Sequence, residues 1–278
     1  MKDIKTRLML VCIGLTIISF VLAGQSSAKI DPKTAIGIWL FDEGEGDVAK
    51  DSSGNGNDGT LMNNPKWVDG KFGKALEFNG SNYVDMGDKD TLDMGTGDLT
   101  ITSWVNVSSV ENVWDHEIAW KGARHWKKGY VLEIAGKLRG GDAGKAEFTF
   151  GTGVQGEDDT ILSQGSVADK NWHHLAGVID RKGLVYIYVD GELSSSKPPA
   201  AFLDKFNLDN DSPFTIGRHN DGDQYFFGTT DEVALFNVAL TGDDIKNLME
   251  NGVGRALGLT PVFPKGKLTT VWGEIKVN

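Results

Sequence analysis

The chain has 278 residues, 40% hydrophobic and 24% charged, with 36 glycines against 7 prolines and a formal net charge of −11. That balance excludes a disordered tail and a multi-span membrane protein, and abundant glycine without a repeat asks for many tight turns rather than a helix bundle. With no basic stripe to reverse the negative charge, nucleic acid is excluded as a partner.

Residues 1–28 read as an export signal. Lys2, Lys5 and Arg7 precede an apolar run from Leu8 to Ala23, and Ser26-Ser27-Ala28 supplies the small residues of a cleavage site. The run is shorter than the ~20 residues a bilayer crossing needs. Cleavage removes three basic residues, one acidic residue and the single cysteine, Cys12, leaving a net charge of −13. The mature chain is therefore expected to be secreted, periplasmic or on the cell surface, without membrane insertion and without disulfides. Its acidic, Asn- and Gly-rich loops suit calcium, which takes hard oxygen ligands.

Strands follow in quick succession. Ile36–Phe41 is apolar on both faces, then Asp42–Asp47 and Asp51–Gly59 read as loops. Lys74–Phe78, Tyr83–Met86, Leu99–Val107, Tyr130–Ile134 and Glu147–Phe150 are further short strands. In the third of these, Leu99, Ile101, Val105 and Val107 share one face, opposite Thr100, Thr102 and Trp104. The clearest hairpin runs from Trp172 to Leu193, turning at Asp180–Gly183 and again at Asp190-Gly191. Phe214–Gly217 and Asp231–Phe236 complete the strands. One helix follows, with Thr241 and Asp244 at capping-box spacing, Ile245, Leu248 and Met249 as its apolar stripe, and Gly252 as its stop. Residues 259–278 form a Pro- and Gly-containing linker and a short C-terminal extension. Many strands, one late helix and no βαβ alternation predict an all-β, two-sheet antiparallel sandwich.

Several stretches, in order over residues 33–258, resemble a known family. They are Ile38-Trp39-Leu40-Phe41-Asp42-Glu43-Gly44, Asp51-Ser52-Ser53-Gly54-Asn55, Ala75-Leu76-Glu77-Phe78-Asn79-Gly80, and Thr100 to Val105. Trp172 to Gly177, Tyr188-Val189-Asp190-Gly191, Ile216-Gly217-Arg218 and Gly228 to Asn237 complete the set. Together they resemble the LamG-like jelly roll of the concanavalin A-like lectin/glucanase superfamily. The resemblance implies a jelly roll that binds carbohydrate or other proteins, and names no single ligand. It also implies a structural calcium ion at Asp42, Asn79, Gly80 and Asp231. The chain departs from the pattern in lacking the disulfide some relatives carry, and in having Thr230 where an apolar residue is usual.

Enzymatic motifs fail on their spacing. His116-Glu117 is followed by Trp120 where a zinc protease needs its second histidine, and the Asp51 loop has Met62 where an EF-hand needs Glu. No run of alternating carboxylates or G-x-S-x-G occurs, and Glu133 and Glu147 read as standing alone on their strands. His173 and His174, on opposite faces of one strand, read as structural. Residues 110–128 read largely as loop and carry the leading contact candidates Trp114, His116, Arg124, His125 and Trp126, with Trp120 assigned to a strand and the core. Sugars stack C–H faces on such rings and bond Arg and His at their edges. Arg218 and Tyr225 form a second cluster. The expectation is a secreted, non-enzymatic module for an extracellular glycan. A protein-interaction or adhesion module binding a cell-surface protein is the first alternative, and a glycoside hydrolase or lyase with an unrecognised catalytic pair the second.

Overall fold

The computed structural model describes residues 30–123, 128–199, 201, 207–220, 222 and 224–259. Residues 1–28, read above as an export signal, Arg124, His125, Trp126 and nearly all of the expected C-terminal extension lie outside them. No helix among the described residues is long and apolar enough to cross a membrane.

The strands are β1 (Ala35–Trp39), β2 (Val48–Ala49), β3 (Gly59–Met62), β4 (Lys66–Asp69), β5 (Lys74–Asn79), β6 (Tyr83–Asp85), β7 (Leu99–Val107) and β8 (Asp115–Ala123). They continue as β9 (Lys128–Ala135), β10 (Lys145–Gly151), β11 (Asp158–Ser166), β12 (Trp172–Ile179), β13 (Val185–Val189), β14 (Glu192–Lys197), β15 (Phe214–Ile216) and β16 (Phe227–Phe236). All pairings are antiparallel, and they make two sheets. The first has the order β14-β13-β12-β7-β16-β5-β4 with β1 also on β16; the second has the order β11-β10-β9-β8-β15-β6-β3-β2. This is the expected jelly-roll sandwich.

The facing sides of the sheets hold one continuous core. Leu99, Ile101, Val105 and Val107 enter it from β7, and Leu132, Ile134, Phe148 and Phe150 from β9 and β10. Trp39 stacks on Phe214 with ring centroids 5.1 Å apart, and its Nε1 donates to the Asn57 carbonyl at 2.9 Å. Burying each such side chain is worth about 1.5–3 kcal/mol. The Asp51 carboxylate is spent locally, accepting from the amides of Ile38, Ser53 and Asn57.

A second, smaller core lies on the outer face of the first sheet. Ala176, Val178, Ala234 and Phe236 meet Ile245, Leu248 and Leu257 there. The helix is in fact two, α1 (Gly242–Asn251) and α2 (Val253–Leu257). Thr241 and Asp244 form the capping box, with Asp doing the work of Glu. Gly252, at φ 74°, separates the helices.

Strand β16 explains much of the topology. One edge pairs with β7; the other pairs with β5 over residues 227–230 and with β1 over 233–236. A bulge between Asp231 and Ala234 marks the changeover, with Glu232 in the left-handed region at φ 48°. The Glu232 carboxylate accepts from the Val253 amide at 2.6 Å, capping α2.

The histidine pair is structural. His173 places one ring nitrogen 2.8 Å from Asp190 and the other 3.0 Å from Asp169. Burial opposes its charge, but the two carboxylates prevail and raise its pKa. His174 faces the other way, edge-on to Trp104 at 5.4 Å, and burial pushes its pKa down to about 4.

Lys121 was not marked by the sequence. Its side chain is fully buried, and Nζ donates to Asp88 (2.7 Å) and to the carbonyls of Asn210 (2.9 Å) and Ser212 (2.7 Å), with Asp93 at 3.2 Å. One ammonium thus ties β8 to two loops.

Candidate functional site

The outer face of the second sheet is acidic. Glu117, Glu133 and Glu147 lie opposite one another on β8, β9 and β10. Because Leu132, Ile134, Ala146 and Phe148 turn into the core, the two glutamates between them must point the other way. All three are buried, as is Asp115 one step along β8. The earlier reading of Glu133 and Glu147 as isolated is therefore corrected: the β9–β10 hairpin sets them side by side.

Arg139, from the 137–142 turn, reaches into this row. Its Nε and Nη2 donate to the two oxygens of Asp115 at 2.8 and 2.9 Å, and Nη2 also donates to Glu147 at 3.0 Å. Burial disfavours its charge, yet Asp115, Glu147 and Glu133 hold its pKa above the ordinary value. Asp115, Glu133 and Glu147 each place an oxygen within 4.8 Å of the others. That grouping has the oxygen chemistry of a cation site, but a guanidinium already stands at two of the three.

The same turn mounts the aromatic platform. Gly136, Lys137 and Leu138 donate through their amides to the carbonyls of Trp114, Glu111 and Val113. A Cβ at Gly136 would lie 2.2 Å from the Val113 carbonyl oxygen, so only glycine allows this approach. Trp114 is 55% exposed, with the Arg139 guanidinium 5.8 Å from its ring centroid. Leu138 is exposed beside it.

Residues 110–128 are thus not mostly loop; Asp115–Ala123 is strand β8. His116 is corrected accordingly from contact residue to brace. Its Nε2 accepts from the Glu111 amide at 2.8 Å, so Nδ1 carries the proton and donates to the Tyr225 carbonyl at 2.9 Å. Burial lowers its pKa, in keeping with this neutral form. Trp120 is buried against His219, its Nε1 donating to the Gly122 carbonyl.

The structure does bring the two sequence clusters together. The Gln224 side chain accepts from the Asp115 amide at 3.1 Å, beside the His116–Tyr225 bond. The Arg218 guanidinium stands over the Tyr83 ring, 4.2 Å from its centroid, and Tyr83 meets Tyr225 edge-on at 6.5 Å. Trp114, His116, Arg218 and Tyr225 therefore belong to one region. Tyr83, Asp115, Arg139 and the glutamate row are the additions.

The four metal candidates divide. Asp42 and Asp231 converge on the β4–β5 turn, where their oxygens accept from the amides of Lys74 (3.0 Å) and Phe72 (2.9 Å). The second oxygen of Asp231 is buried with no hydrogen-bond partner. Burial, helped by the neighbouring charges of Glu232 and Asp42, pushes the Asp231 pKa up to about 8. Burial likewise pushes Glu232 up to about 7, with Asp42 contributing. The orphaned buried oxygen of Asp231, with the Asp42 and Glu232 carboxylates near enough to raise its pKa, offers the hard oxygen chemistry that calcium takes. Asn79 and Gly80 do not join it. They lie at the far end of β5, five residues from Lys74, a strand length of about 16 Å.

Comparison with known proteins places this geometry. A family described as the concanavalin A-like lectin/glucanases superfamily matches residues 78–246. The chain belongs to that superfamily. No curated protein matches it. Among solved structures, this concanavalin A-like chain is similar to domain 4 of AbnA, a GH43 extracellular arabinanase from Geobacillus stearothermophilus, in complex with arabinotriose. That match has 19% identity and a TM-score of 0.58, covering 78% of this chain and 98% of the other. It is also similar to the binding domain of Paraclostridial Mosquitocidal Protein 1, at 16% identity and a TM-score of 0.59, covering 78% of this chain and 52% of that one. The binding domain of Botulinum neurotoxin DC in complex with SialylT matches at 13% identity and a TM-score of 0.59, covering 79% and 52%. The chain thus spans about half the length of the two toxin chains. At these identities the likeness is one of fold.

Proposed function

We propose that this protein is an extracellular, non-catalytic module that binds carbohydrate through the Trp114 end of its second sheet, with a structural calcium ion at Asp42 and Asp231. The observation that carries the reading is Trp114 itself, a large exposed ring on two loops that hydrogen bonds hold together. A rigid aromatic surface beside fixed polar groups suits the C–H face and hydroxyl edge of a sugar. The relatives lend support, since one is in complex with arabinotriose and another with SialylT. A catalytic reading is weaker. A hydrolytic pair must flank a glycosidic bond, whereas Asp115, Glu133 and Glu147 are 3% exposed or less and crowd around a guanidinium.

The test is a glycan array probed with the mature chain, residues 29–278, in calcium. Binding to one sugar class is expected. A blank from folded protein would overturn the reading in favour of a protein partner, for which Leu138 beside Trp114 and a relative in complex with rat synaptotagmin II are the supporting observations.

Calcium is tested separately. An ion held only by the native state, at one hundred times its Kd, stabilises by about 2.7 kcal/mol. Millimolar calcium is therefore expected to raise the melting temperature by several degrees over chelator, and Asp231→Asn to abolish the difference. Equal melting with and without calcium would remove the ion from the proposal. The extracellular placing rests on residues 1–28. N-terminal sequencing of the natural product is expected to begin at Lys29, and protein still beginning at Met1 would count against it.

A further inference from the structure

Asn79, displaced from the calcium site, stands in a cleft of its own. This cleft, of about 310 Å³, opens on the outer face of the first sheet and is lined by Lys66, Glu77, Asn79, Asn82, Ser108 and Phe227. We propose that it is a second carbohydrate subsite, which takes the vicinal hydroxyls of a neutral sugar ring. The proposal rests on the carbohydrate reading above and adds a place and a ligand class to it.

The register puts the lining on one face. Lys66 opposes Glu77 across β4 and β5, and Phe227 opposes Asn79 across β16 and β5. Glu77 and Asn79, two residues apart, project on the same side. The amide of Asn79 is oriented by its neighbours. The Ser81 amide and hydroxyl both donate to its Oδ1, at 3.0 and 2.8 Å. Since a backbone N–H can only donate, this bond fixes which end of the amide is oxygen. Asn79 lines the cleft, and the two hydrogens on its Nδ2 have no acceptor among the described residues. The turn below is rigid: Asn82 is buried and its Oδ1 accepts from the Asn79 amide at 3.0 Å.

An oriented donor beside a carboxylate acceptor is the arrangement that reads adjacent hydroxyls, each of which both gives and takes a hydrogen bond. The Lys66 ammonium, 3.9 Å from Glu77, balances the carboxylate, so the cleft favours an uncharged ligand. Phe227 supplies the apolar wall. Its ring lies so close over Gly80 that a Cβ there would be 1.9 Å away. The buried edge of His116 supports the same ring at 5.9 Å, linking this cleft through the sandwich end to the Trp114 region.

The experiment is calorimetric titration of the mature chain with arabinotriose, xylotriose and cellotriose, using wild type, Asn79→Asp, Asn79→Ala and Trp114→Ala. Asn79→Asp keeps the acceptor for Ser81 but removes both donors, so melting should be unchanged. The expected result is that at least one trisaccharide binds, and that both Asn79 variants weaken it by about fivefold or more. Weakening by Trp114→Ala alone would overturn the second subsite and leave the main reading standing. If Asn79→Ala weakens binding while Asn79→Asp does not, the donors are irrelevant and the proposal fails. Folded wild type that binds none of the three overturns the second subsite, and the main reading then stands or falls with the glycan array.

Discussion

Lys121→Met is expected to destabilise the protein by about 3 kcal/mol, read as a shift in urea midpoint at constant slope. The wild-type ammonium is fully buried and surrounded by four oxygens, two from carboxylates and two from backbone carbonyls. Methionine fills much of the same volume and satisfies none of them. Removing one partner of such a pair leaves the other charge in poor surroundings, which is the expensive case. The figure sits at the lower end of the usual range because Asp88 is 45% exposed and can turn to water. Asp88→Asn should accordingly cost less than about 1 kcal/mol. Wild-type stability in Lys121→Met would mean that the four oxygens find water without the ammonium.

Trp114→Ala is expected to reduce glycan affinity at least tenfold, about 1.4 kcal/mol, with no change in melting. The ring is more than half exposed, so little core is lost with it. What goes is the flat face that a sugar ring would cover, beside the guanidinium that Asp115 and Glu147 hold in place. Trp120→Ala is the contrasting variant. That ring is 1% exposed and packed at a tilt against His219, so its loss should lower stability first. Calorimetry on the sugar found by the array separates the two, and unchanged affinity in Trp114→Ala would sink the platform.

The elements legible in the sequence were those whose local chemistry agrees with their place. The β12–β13 hairpin announced itself by its β-branched and aromatic strands and by the following turn at Asp190-Gly191, both at positive φ, whereas β14, with its serines, was not marked. Strand β8 was obscured because Asp115, His116, Glu117 and Lys121 look like surface residues. They are buried only because partners from distant segments meet them. The row of glutamates was hidden by register. Positions 133 and 147 pair because the intervening turn centres on Gly140, which a nine-residue connection does not disclose locally. A symmetric count outward from Gly140 would have found the pair. The expected calcium set divides for a related reason, since adjacency to a strand does not say which end of the sandwich a residue occupies. Asp42 and Asp231 meet there, while Asn79 belongs to the opposite end.

Strand β16 sits in the middle of the first sheet, yet it is made almost last. Strands β1, β5 and β7 each depend on it for one hydrogen-bonded edge. A nascent chain that has not reached residue 236 therefore carries three unfinished edges and cannot close its sandwich. Such non-local pairing delays folding until synthesis is nearly complete. For the export proposed above, directed by residues 1–28, that delay would be an advantage. The chain would stay unfolded while it is translocated, and the last strand would slot between the others and lock the domain only on the far side.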